Sequence, residues 1–348
     1  MLGKTAMTVQ PFCMRCHPFV RWLWLGAIFS IAVAQPVPAN SAAEFPPSSS
    51  LPADKTGSFR EWQLLEARTG RAVSLEEWFD SLASWDVIYL GEEHHNRFHV
   101  EAALRVLEAL IAKGRKPVLA IEMFGWDGQA GLDRYLAESN MTKSEFLEAV
   151  RWRQNWGGAY EDYEPLITFA REHQLPVRAL NPPRSLVRQV AKHGLAGVRT
   201  DPEMARWGMA QEEIVDDAAY REKIVRQLRL CHEGGSDAAY QGMYEASMFR
   251  DEAMAKTIVE ALRTFRIGPG SPMGPILSYT GGGHIQYQLP VPKRVMRRVS
   301  EGVRQLTVYL SSFHADHRDE IQELLKDGIA DYIWLTPMGL QGPPRRCR

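Results

Sequence analysis

Six short apolar runs limit what this chain can fold into: Val87–Leu90, Val118–Phe124, Val177–Leu180, Ile276–Tyr279, Leu306–Leu310 and Tyr332–Leu335. Each is four to seven residues long and rich in β-branched or aromatic side chains. A strand apolar throughout, with no polar alternation, is one covered on both faces. Several runs lead into helical spacing. Val100, Leu104, Leu107 and Ile111 follow the first, and Ser185 to His193 follows the third and closes at Gly194. The expected fold class is therefore α/β, a mainly parallel β-sheet flanked by helices. Ahead of it, Trp62 to Ala67, a turn at Thr69-Gly70 and Ala72-Val73 predict a small hairpin. Ser74-Leu75-Glu76-Glu77 reads as a capping box opening a short helix to about Ser81.

Two regions break the strand–helix rhythm. Residues 128–160 are helical, polar and aromatic, and residues 201–266 read as three consecutive helices with no strand between them. Both are expected as helical insertions forming a smaller lobe beside the sheet. With 348 residues, 45% of them hydrophobic, the chain has enough apolar mass for one large domain. Its 41 basic and 42 acidic residues leave a net charge of -1, which excludes the basic footprint of a nucleic-acid binder.

The N-terminal region reads as an export signal over residues 1–34. Arg15, His17 and Arg21 precede an apolar run from Trp22 to Ala34, and Ala32-Val33-Ala34 offers a cleavage site. That run falls short of the ~20 residues a membrane span needs. A retained anchor is the competing reading, and no Cys follows the run to serve as a lipidation site. Pro- and Ser-rich residues 35–58 read as a linker, leaving 59–340 as the folded domain. Cys13-Met14-Arg15-Cys16-His17 has the form of a c-type haem attachment motif, but it precedes the apolar run and would leave with the signal, so covalent haem is not expected.

In parallel α/β sheets, ligands bind where strands end. The first run is followed by Glu92, Glu93, His94 and His95, the second contains Glu122, the third leads to Asn181-Pro182-Pro183-Arg184, and the fourth to Gly281-Gly282-Gly283-His284. His314 and His317 follow the fifth and are read as exposed loop residues. Each site feature has a structural alternative. Glu122 either serves a site or pairs with an arginine such as Arg178 or Arg184. The glycines make a tight turn or let backbone approach a ligand; without a following Lys-Ser/Thr they do not make a phosphate loop. His95 and His99, four apart, would share a helical face and could clamp a metal. Asn96 is either a ligand group or a helix N-cap. The segment Trp152 to Tyr163 either walls a flat ligand or packs the insertion on the sheet. Tyr240, Met243, Tyr244 and Met248 form a helical stripe, read as core, with a ligand wall or an axial iron ligand as the alternative.

Taken in order, Gly91-Glu92-Glu93-His94-His95-Asn96 with His99, Ile121-Glu122-Met123-Phe124, Ala179-Leu180-Asn181-Pro182, Asp251-Glu252-Ala253-Met254-Ala255 and Gly283-His284-Ile285 resemble the ChaN-like haem-binding family. That family sits in a wider group with Tiki proteases and erythromycin esterases. The resemblance implies a parallel α/β domain with a smaller helical lobe. It also implies an exported protein, periplasmic or membrane-associated, that binds haem non-covalently, is linked to haem and iron uptake, and encloses paired haems as a homodimer. Outer-membrane haem-uptake components would be its partners. On this reading His94 and Tyr163 are the axial candidates, with His95, His99 and Asn181 around the cofactor. The wider group's metal-dependent members imply an alternative: a divalent-metal hydrolase of esterase or peptidase type, with Glu92, His94, Glu122 and His284 as ligands. His95 stands where an acidic residue is often found in the first motif.

Overall fold

The computed structural model describes residues 59–340 apart from 269, 300 and 301. The expected signal and linker, and the tail from residue 341, lie outside the described residues. Among the described residues no helix is long and apolar enough to cross a membrane.

All six apolar runs are strands. In chain order the strands are β1 Leu64–Glu66, β2 Ala72–Val73, β3 Val87–Glu92, β4 Lys116–Gly125, β5 Val177–Asn181, β6 Met273–Gly281, β7 Gln305–Ser312 and β8 Tyr332–Thr336. They form one sheet in the order β2-β1-β8-β7-β3-β6-β4-β5. From β8 across to β5 every neighbouring pair is parallel, and only the β1/β2 hairpin at one edge runs antiparallel. The strands outrun their apolar runs because pairing continues past them: Glu92 of β3 still pairs with Gly281 of β6.

β3 shows why an unbroken apolar run was needed. All six of its residues are buried, and successive side chains go to opposite faces. Ile88 and Leu90 join one core with Leu107, Leu132, Phe146 and Leu166, whereas Val87 and Tyr89 join another with Met254, Ile258 and Val295. Each fully buried aliphatic side chain contributes about 1.5–3 kcal/mol, so both faces hold the strand in register. On the first face lies helix Arg97–Ala112, whose N-cap is Asn96; its side chain accepts from Phe98 N at 2.9 Å. The N-cap alternative for Asn96 is therefore the one realised. The capping position also corrects one expectation: His95 precedes the helix in a left-handed conformation (φ 66°), so His95 and His99 do not share a helical face.

On the second face the helix Asp237–Thr264 runs for 28 residues and leaves the sheet to form the lobe with helices Pro202–Arg206 and Ala218–Cys231. As expected, no strand interrupts this stretch among the described residues. Gly242 lets it cross helix Arg184–Val198 closely, since a Cβ there would lie 2.3 Å from Ala191 O. In the stripe, Tyr240, Tyr244 and Met248 are buried. Tyr244 donates to Asp216 at 2.6 Å, and Tyr240 donates to His232 O at 2.5 Å. The stripe is core.

Candidate functional site

The ends of four strands, β3, β4, β5 and β6, meet the lobe helix at one place. At the end of β3, Glu92 is buried and fully engaged. Its Oε1 lies 2.7 Å from His94 Nδ1 and accepts from the Tyr163 hydroxyl at 3.0 Å, and its Oε2 accepts from the Tyr279 hydroxyl at 2.6 Å. Burial, then the Glu92 charge, pushes both phenols well above their usual range, so both stay protonated as donors. Burial alone would pull the His94 imidazole down, but the Glu92 hydrogen bond and charge outweigh it and hold its pKa above the usual value. The His94 side chain is 36% exposed. It packs edge-on against Trp156, with ring centroids 4.9 Å apart. Gly281 gives it room: a Cβ there would lie 2.9 Å from His94 Cε1 and Nε2.

The second carboxylate, Glu122 of β4, is buried among cations. Arg250 donates to its Oε1 at 2.5 Å, His284 Nε2 lies 3.4 Å from the same oxygen, and Gly281 N donates to Oε2 at 2.7 Å. Burial opposes its ionisation, yet His284, Arg250 and His94 together hold it well below the usual carboxylate range. Asn181 ties β5 in, donating to Glu122 O at 2.6 Å and accepting from Arg250 Nε at 3.1 Å. His284 reaches back to the lobe helix. Its Nδ1 is 2.6 Å from Asp251 Oδ1, and Tyr220 donates to Asp251 Oδ2 at 2.5 Å. Burial lowers the pKa of His284, but Glu122 and Asp251 prevail and bring it up to about 9. At neutral pH it is an imidazolium between two carboxylates, a donor and a fixed charge and not a base.

This arrangement revises the candidate list. Glu92, His94, Glu122, Asn181 and His284 lie together at the strand ends, and Tyr163 joins them from outside the sheet through Glu92. They do not gather as a metal shell. Glu122 is saturated by a guanidinium, an imidazolium and a backbone N–H, and Glu92 by two phenols and His94. Among the described residues no group of three or more His, Cys, Asp or Glu is disposed to hold a metal ion. His99 is 0% exposed and turned away; its Nδ1 accepts from Glu93 N at 2.9 Å, so it braces the β3–helix turn and reaches no ligand. Tyr163 is also fully buried, its hydroxyl donating to Glu92 and accepting from His95 N at 3.2 Å. It positions those groups and does not present its oxygen to the surface. His95 lies at the rim, its Nδ1 2.6 Å from Asp162 Oδ2. His314 lies apart and is half-exposed, accepting from Asp316 N.

A family model described as haem-binding uptake, Tiki superfamily, ChaN, matches residues 78–295. The chain belongs to that family. The solved structure of cofacial heme binding to ChaN of Campylobacter jejuni superposes on it with TM-score 0.60, covering 79% of this chain and 96% of that one at 19% identity. This likeness shows the ChaN fold. Among curated proteins, RETICULATA-RELATED 5, chloroplastic, of Arabidopsis thaliana is 23% identical over 275 residues, 74% of this chain and 35% of that protein. The chain thus spans about a third of that relative's length. The erythromycin esterase EreC, as a mutant in its open conformation, aligns at TM-score 0.39 with 15% identity over 68% of this chain and 72% of its own, too low to carry an argument.

Within this ChaN-family chain, the residues that sequence reasoning left without a role are Arg250, Asp251, Tyr279 and Tyr220. Arg250 and Asp251 carried a signal: with Glu252 they form a charged triplet inside an Ala- and Met-rich helix, most of whose surrounding residues from Tyr244 to Leu262 are buried. A charge in such a setting needs a partner, and Arg250 has Glu122. Tyr279 and Tyr220 carried none, because a buried tyrosine reads as core until its hydroxyl partner is known.

Does the site suit haem? Haem iron takes an imidazole through a ring nitrogen whose opposite nitrogen is held by a hydrogen bond. His94 meets that description: Nδ1 is held by Glu92, and Nε2 makes no hydrogen bond among the described residues. The Trp156 indole supplies an apolar wall, and its Nε1 has no partner among the described residues. The donor chemistry fits.

Proposed function

We propose that this protein is an exported haem-binding protein linked to haem and iron uptake, and that it holds haem non-covalently at the carboxyl edge of its sheet. The observation that carries the reading is the half-exposed His94 imidazole, oriented by a buried carboxylate beside Trp156; membership of the ChaN family supports it. When bound, haem supplies iron for axial ligation. The chain's own residues do the rest. Glu92 fixes the His94 ring and raises its donor strength, Tyr163 and Tyr279 fix Glu92, and Trp156 shields one side. Because His94 sits at an open surface, a second copy of the chain covering that surface belongs to this reading, as does contact with outer-membrane uptake components.

The test is titration of haemin into the purified protein. A saturable Soret band that His94→Ala shifts or abolishes is expected. Absence of a saturable band, or an unchanged one in His94→Ala, overturns the assignment. Light scattering with and without haemin reports whether the dimer forms, and N-terminal sequencing of the periplasmic fraction reports export.

A further inference from the structure

The charges around His94 do not balance, and the excess lies on one side. Arg250 is matched by Glu122 and His284 by Asp251, while His94 is matched by Glu92. Two further arginines stand beside them. Arg184 opens the helix Arg184–Val198 directly after β5; Arg188 follows one turn later on the same helix. Neither has a carboxylate within ion-pair distance among the described residues. The hydrogen bond that Arg184 does make is from Nη1 to Trp156 O at 3.2 Å. Burial, then the nearby Arg188 and Arg250, depresses its pKa. Arg184 and Arg188, one turn apart on that helix, thus stand at the end of β5, where Asn181 and Glu122 hold Arg250.

Arg184 is next to the proposed ligand. Trp156 presents its carbonyl to Arg184 and its ring to His94, so Arg184 and the imidazole both contact one residue. Asn181 joins the same ring of residues through Arg250 and Glu122. Gly157 carries the loop past Arg184 in a left-handed backbone conformation (φ 83°), where a Cβ would also lie 3.2 Å from Arg153 O. Holding like charges together without counter-ions costs free energy, and an anionic ligand that settles among them recovers it. Guanidinium suits carboxylate in particular, since its planar fork donates two parallel hydrogen bonds to the two oxygens.

We propose that Arg184 and Arg188, backed by Arg250, form a carboxylate dock beside His94 that takes the two propionate groups of haem. The proposal rests on the haem-binding reading and adds to it the groups that select the ligand and set its orientation. Two unmatched positive charges meet two carboxylates. With the propionates held there, Trp156 would bound the ring and His94 would be the residue to hold the iron. Arg250, already committed to Glu122 and Asn181, contributes field and rigidity.

The experiment compares haemin with haemin dimethyl ester, whose propionates are neutral, by absorbance and tryptophan quenching on the full chain. Wild type is expected to bind the free acid at least tenfold more tightly than the ester. In Arg184→Ala and Arg188→Ala that preference should shrink several-fold, and in Arg184→Lys it should be partly kept. Arg188 is exposed, so its replacement leaves the core intact if Arg184→Ala proves unstable. Repeating the comparison in His94→Ala with iron-free protoporphyrin and its dimethyl ester removes the axial contribution, and the free-acid preference should survive. If wild type binds acid and ester equally, or Arg188→Ala keeps the full preference, the dock is overturned while haem binding stands. If neither form binds at all, the haem reading fails and the dock with it.

Discussion

Glu92 and His94, two residues apart at the end of β3, are joined carboxylate to imidazole at 2.7 Å, and the rest of Glu92 is spent on Tyr163 and Tyr279. The carboxylate therefore serves the histidine and is not itself offered to a ligand. Replacing it tests this directly. Glu92→Gln keeps the shape but loses the charge that raises the His94 pKa, so that pKa should fall in an NMR titration. Haem affinity should drop by about 10–100-fold, the usual cost of losing a group that orients a metal-bound histidine. Unchanged affinity would remove Glu92 from the site.

Tyr163 makes the opposite case. Its hydroxyl is buried and bonded to Glu92 and His95 N. Tyr163→Phe should therefore retain a saturable Soret band at the wild-type position while lowering stability by about 1–3 kcal/mol, the cost of stripping a buried charged acceptor of one donor. Chemical denaturation and haemin titration on the same sample check both parts. A lost band with unchanged stability would restore the phenol as an iron ligand.

Gly281 should be as sensitive as any polar residue. Its backbone N–H holds Glu122, and His94 lies across its Cα. Its φ of -55° suits alanine, so Gly281→Ala should fold. The added methyl must displace the imidazole, because 2.9 Å is closer than nonbonded carbon and nitrogen approach. Haemin titration of Gly281→Ala should show roughly tenfold weaker binding, following the general cost of a misplaced ligand group.

The contrast between these residues shows what a sequence reveals. Strand runs such as Val87–Leu90 were legible because burial on both faces leaves no polar position within them. From the strands follow their ends, and hence Glu92, His94, Glu122, Asn181 and His284 in one place. Their bonding was not legible. Spacing allowed Glu122 to pair with Arg178 or Arg184, but the partner is Arg250, 128 residues on along the lobe helix. Spacing also put His95 and His99 on one helix face, but Asn96 caps the helix between them and turns them apart. Long-range pairing of this kind depends on how a helix crosses the sheet, and no local pattern records that.

His284 makes stability depend on pH on the alkaline side. Its pKa rises from 6.5 unfolded to about 9 folded. A raised pKa means that the contribution is fully present below pH 6.5 and is lost as pH rises through about 9. The loss is roughly 3 kcal/mol at most, from the shift alone. Denaturation of wild type and His284→Gln at pH 6, 7.5 and 9 should show a stability gap that is widest at pH 6 and narrows toward pH 9. A gap that stays constant would mean that the imidazole is not charged in the fold.

His99 acts on the acid side with the opposite sign. Burial, then the charge of His94, lowers its pKa to about 3, and its Nδ1 accepts from Glu93 N, a bond that protonation would break. The neutral ring is fully stabilising above pH 6.5. As pH falls from 6.5 toward 3, the unfolded chain takes up a proton that the fold refuses, and stability should drop by about 1.4 kcal/mol per pH unit from this group. His99→Asn keeps an acceptor for the Glu93 amide but cannot titrate. It should be less stable than wild type at pH 7, because it leaves a cavity, and should lose stability less steeply between pH 6.5 and 4. Urea denaturation across that range decides: parallel slopes for the two proteins would remove His99 as the acid-sensitive brace behind the site.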